Sequence, residues 1–90
     1  MIAECVHGGA RCVLRAGSIA VAILRPGERF GSGPVPNDKD EAILVRSKRA
    51  GDIRLDADDL APGTIVWIVD RSQGPEDGRY TAWPMRMIAQ

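Results

Sequence analysis

Every apolar run in this chain is short, rich in Val and Ile, and cut off by Gly, Pro, Asn or Asp. No stretch sustains the periodicity of an amphipathic helix, so the runs read as pleated strands joined by turns. Ile2 to Val6 and Arg11 to Arg15 flank His7-Gly8-Gly9-Ala10, where paired glycines supply the positive φ angles of a tight hairpin. Ile19 to Leu24 is apolar at consecutive positions, as a central strand covered on both faces would be. Arg25-Pro26-Gly27-Glu28 then turns it toward Arg29 and Phe30 as a second hairpin. Ala42 to Arg46, a basic tip over Ser47 to Gly51, and Ile53 to Leu55 read as a third.

Asp56 is placed to cap a short helical turn near residues 57–61, with acids at its positive end and Pro62-Gly63 to stop it. Ile65 to Val69 is the most apolar strand, and Arg79 to Ile88 forms the last, with Pro84 putting part of it on an edge. The Gly- and Pro-rich stretch 31–40 is expected to be a flexible loop, and 70–78 a polar one. The resulting fold class is mostly β: a small single-domain barrel or two-sheet roll, SH3-like or OB-like, of five to seven short strands spanning residues 1–90.

Composition narrows the function classes. Lys plus Arg and Asp plus Glu balance at 12 each, so no overall field draws the chain to nucleic acid or an anionic membrane. The longest uncharged apolar run, Ile19 to Leu24, is far short of the ~20 residues that span a bilayer, so no membrane partner is expected. Met1 leads into Ile2, Ala3 and Glu4 without a basic segment or apolar signal core, which predicts a cytoplasmic protein with free thiols.

Cys5, His7 and Cys12 are of the types that zinc selects, and a two-residue loop at Gly8-Gly9 would set Cys5 directly opposite Cys12 with His7 on the same face. No fourth His or Cys completes a structural site, so core packing is the preferred reading and no cofactor is expected. A basic and aromatic set, Arg46, Lys48, Arg49, Arg54, Arg71, Arg79 and Tyr80, with Trp67 and Trp83 nearby, is the chemistry of single-strand nucleic-acid binding on a small barrel. Trp67, inside Ile65-Val66-Trp67-Ile68-Val69, reads instead as core. Catalysis has little to build on: His7 is the sole histidine, and alternation sends Glu4 to the face opposite it.

Gly63-Thr64-Ile65-Val66-Trp67-Ile68-Val69-Asp70, followed by Gly74-Pro75-Glu76-Asp77-Gly78-Arg79, resembles the first strand and loop of PemK-type endoribonuclease toxins, which are SH3-like barrels. The resemblance covers under a quarter of the chain and implies that Arg79 stands for the family's catalytic arginine. The family's downstream hydroxyl and acid have no counterpart, and its motif opens the protein whereas here the chain ends soon after Arg79. The segment is therefore read as convergent strand-and-loop composition that supports the barrel.

In the final strand, alternation sends Trp83, Met85 and Met87 to one face and Pro84, Arg86 and Ile88 to the other, and an apolar stripe running to the end of the chain makes Trp83, Met85, Met87 and Ile88 the expected oligomer interface. The leading expectation is a non-enzymatic binding or regulatory module, homo-oligomeric and most simply a dimer. A nucleic-acid-binding barrel is the alternative, and a small hydrolase or ribonuclease using Arg79 and His7 the second.

Overall fold

The computed structural model describes residues 1–29, 31–35, 40–46, 51, 53–72 and 74–88. These residues form eight short strands: β1 (Ile2–Cys5), β2 (Arg11–Val13), β3 (Ile19–Ala20), β4 (Ala22–Leu24), β5 (Ile43–Arg46), β6 (Ile53–Arg54), β7 (Ile65–Val69) and β8 (Arg79–Ile88). A 3₁₀ turn covers Ala57–Leu60, where the expected helical turn falls. The fold is mostly β, as the alternation predicts, with a six-stranded antiparallel sheet in which β2-β1-β8-β7-β4 form the main path and β5 pairs with β8 off it, and a two-stranded sheet of β3 and β6. The larger sheet stays open, its path ending at β2 and β4 among the described residues.

The ten-residue β8 organises that sheet. Along one edge it pairs first with β5, from Arg46↔Arg79 to Ile43↔Ala82, and then with β1, from Cys5↔Met85 to Ile2↔Ile88. Along the other edge it pairs with β7. Pro84 lies inside this central strand rather than on an edge. Its carbonyl accepts the Val6 N–H at 3.0 Å, so its missing N–H faces the gap where β5 hands over to β1 and the ladder demands no donor.

Alternation feeds two cores on opposite sheet faces. Ile23, Val66, Met85 and Met87 join Ala3, Leu14 and Leu55 in one, while Ala22, Leu24, Ile65, Trp67 and Ala82 join Val21 and Val45 in the other. This division explains three departures from the expected layout. Ile19 to Leu24 is not one strand: it bends at Val21, so that β3 pairs with β6 and β4 with β7, giving eight strands instead of five to seven. The third hairpin does not form among the described residues, because β5 packs toward the Trp67 core beside β8 while Leu55, beyond β6, enters the other. Among the described residues the return after the Arg25–Glu28 turn is the bridge Ile23↔Ser32. Phe30 and residues 36–39 of the expected loop lie outside the described residues.

The 3₁₀ turn is tied down by a buried carboxylate. Asp59, 2% exposed, accepts the Asp56 N–H at 2.8 Å and pairs with Arg25 at 2.8 Å, while Glu28 braces Arg25 from the turn before. Asp59→Ala removes both the cap and the partner of Arg25, and is expected to lower stability by about 1–3 kcal/mol in urea titrations.

Candidate binding groove

Arg79, Thr81 and Trp83 share a face of β8 with Met85 and Met87, but only the methionines are covered. Met85 and Met87 are 8% and 1% exposed in the first core, so these two members of the expected interface stripe are core residues of this chain. Ile88 is half-buried, and Trp83 is the stripe's one large exposed residue. Short of the core the face lies open, and β5 widens it with Leu44 opposite Thr81 and Arg46 opposite Arg79.

The segment after β7 borders this open face and leaves a groove of about 560 Å³ between Leu44, Thr81 and Trp83 on the sheet and Asp70, Glu76 and Asp77 on the segment. Its end is a tight hairpin turn: Glu76 and Arg79 exchange both backbone hydrogen bonds, at 2.7 and 2.9 Å, and Asp77 and Gly78 between them take φ angles of 51° and 71°. Positive φ at both central positions is the signature of the primed hairpin turn that Asp-Gly favours. The Asp77-Gly78 pair is thus a hairpin signal within the expected polar loop 70–78. This turn holds the Glu76 and Asp77 backbone beside the start of β8, whereas Asp70 is fixed by accepting the Ser72 N–H at 3.0 Å. Three carboxylates and the Arg79 guanidinium line the groove, with Arg46 beside Arg79 on the same face, so acids outnumber bases there by one.

A second, apolar groove of about 240 Å³ continues past Trp83 and Asp70 along the same face, lined by Cys5, Cys12, Ile68 and Met85. The first hairpin that frames it has a different register from the expected one. Cys5 donates its N–H to the Ala10 carbonyl and Cys12 stands opposite Ala3, so the loop is wider than two residues and the cysteines are diagonal neighbours. Both thiols are free. His7 does not join them: its Nε2 hydrogen-bonds to the Asp40 carbonyl, and its ring sits edge-on to Trp83 at 5.8 Å. Among the described residues no group of three or more His, Cys, Asp or Glu side chains comes together as a metal site.

Burial pushes the Cys12 thiol up, and the neighbouring Cys5 adds to the rise. Cys5→Ser removes the second cause, so Cys12 should form thiolate at lower pH and react faster with iodoacetamide than in the parent chain; an unchanged or slower rate would refute this coupling.

The basic set is divided among surfaces. Arg46 and Arg79 stand side by side on the groove face. Tyr80 turns to the opposite face and packs against the Trp67 core, with the Arg71 guanidinium 5.4 Å from its ring centre. Arg54 lies in the small sheet opposite Ile19, and Lys48 and Arg49 lie outside the described residues. On the reverse face of β1, Arg11 and Glu4 pair at 3.1 Å, and Glu4 stands opposite Arg86, which reaches Asp40 at 3.7 Å. No described helix is long and apolar enough to cross a membrane.

Comparison with known protein families, with curated proteins and with solved structures returns no match for this chain.

Proposed function

We propose that this chain is a non-enzymatic binding module whose recognition surface is the groove beside Trp83, and that the groove takes a peptide segment carrying a basic side chain. The observation that carries this reading is an exposed indole at the junction of an acidic groove and an apolar one. A lysine or arginine stem can lie along Leu44 and the Trp83 ring while its charge meets Glu76 and Asp77, which combines cation–π attraction with ion pairing. The acidic balance of the groove opposes a phosphate backbone, and the basic residues that would attract one are spread over several surfaces.

Trp67 is buried and Trp83 is exposed, so ligand binding should be read as quenching or a shift of Trp83 emission. Short lysine-containing peptides are expected to change that emission in a salt-sensitive manner, with glutamate counterparts and single-stranded RNA leaving it unchanged. Trp83→Ala should weaken binding by about tenfold, measured calorimetrically, since cation–π contacts contribute about 0.5–2 kcal/mol. RNA binding with no response to basic peptides would overturn the proposal in favour of a nucleic-acid module.

A further inference from the structure

The apolar groove brings three sulfur atoms to one sheet face. Cys5 stands directly opposite Met85, and because the neighbouring Pro84 carbonyl takes the Val6 N–H, this is a non-hydrogen-bonded pair, the kind whose side chains approach most closely. Cys12 lies opposite Ala3, two residues along β1 from Cys5 and therefore on the same face. Cys5, Cys12 and Met85 all line the groove, and the remainder of its wall is Ala10, Ile68, Val69 and Trp83 with the charged Arg11 and Asp70.

We propose that Cys5, Cys12 and Met85 form a site for a soft monovalent cation of the copper(I) class. Diagonal cross-strand neighbours have Cα atoms about 7–8 Å apart, beyond the ~6.8 Å limit at which a disulfide closes without backbone movement. Two metal–sulfur bonds of about 2.3 Å each bridge that diagonal where one S–S bond does not. Thiolate and thioether donors select a soft cation, and copper(I) accepts two or three of them, whereas zinc takes four donors and the His7 Nε2 is engaged by the Asp40 carbonyl. On binding, each cysteine releases its proton to solvent and forms a bond to the cation; no electrons are transferred and the metal stays monovalent.

The test uses the reduced full chain under anaerobic conditions, titrated with silver(I) as a redox-inert probe and with copper(I) presented as its bicinchoninate complex. The expected result is one cation per chain, withdrawal of copper(I) from the chelator, loss of both thiols to a disulfide reagent, and weaker retention of zinc. Cys12→Ser, at an exposed position that leaves the fold intact, should reduce affinity at least about 100-fold. Met85→Leu, which keeps the core volume, should reduce it about tenfold without changing the stoichiometry. Unchanged binding in Cys12→Ser, one cation shared between two chains, or equal retention of zinc would overturn the site, and unchanged binding in Met85→Leu would overturn its three-sulfur composition.

Discussion

Gly31→Ala is expected to lose about 3 kcal/mol of stability, near the upper end of what overpacking costs, and with it roughly 15 °C in Tm. The cause is backbone proximity. A Cβ at Gly31 would fall on the Ile23 carbonyl oxygen and within 3.0 Å of the Leu24 Cα, so neither side can yield by rotating a side chain. Relief requires the Ile23↔Ser32 bridge to part, and Ile23 belongs to β4, whose alternate residues enter both cores. The control is Gly78→Ala: its φ is 71°, but an added Cβ meets nothing within 4 Å, so the substitution carries only the conformational strain of about 1 kcal/mol. Urea denaturation of the two variants separates the effects. Equal losses would show that the close approach at Gly31 does not limit the fold.

Local information in the chain was enough to find β7, β8 and the 3₁₀ turn, because each is specified by its own residues. Five consecutive β-branched or aromatic positions at Ile65–Val69 leave no polar face, and Asp56 with Asp59 defines a turn start without help from elsewhere. Partner choice was not local. Nothing within Ile43–Arg46 says that its partner is Arg79–Ala82 and not the nearby Ile53–Leu55; that follows from which core each segment fills. Register in the first hairpin failed for a related reason. Gly8 and Gly9 take the positive φ angles expected of them, 89° and 74°, yet a wider loop accommodates these too, and widening it moves Cys5 off Cys12 and onto Ala10.

The groove was legible only in pieces. Alternation correctly put Trp83, Met85 and Met87 on one face, but it carries no information on where covering elements end, and that limit is what separates two core methionines from an exposed indole. Both faces of β7 and β8 supply cores within one chain, which is where the two methionines of the stripe are placed. Arg79 and Tyr80, adjacent in sequence, were grouped by type although the pleat sends them to opposite faces. The acidic wall is not legible from composition, because it depends on the Asp77-Gly78 turn that brings Glu76 back against the sheet inside the polar stretch 70–78.

Trp67→Ala should have the largest effect of any single side-chain truncation among the described residues, about 3–5 kcal/mol. Trp67 is fully buried, and the positions flanking it across the sheet are small or compact: Ala22 on β4 and Pro84 on β8. Those neighbours cannot expand into the void, so the cavity persists and adds to the lost burial of the ring. The indole also donates from Nε1 to the Glu41 carbonyl at 2.8 Å, which pins the chain just before β5. Trp67→Phe keeps most of the ring and loses this bond, and should cost about 1–3 kcal/mol. Set against the roughly 5–10 kcal/mol available to a domain of this size, alanine leaves the protein near its threshold while phenylalanine leaves it folded. Hydrogen exchange distinguishes the two contributions: both variants should lose amide protection first in β5, and only alanine should lose it across β7 and β4. Uniform loss in both variants would mean that the Glu41 bond has no local role and that Trp67 acts through packing alone.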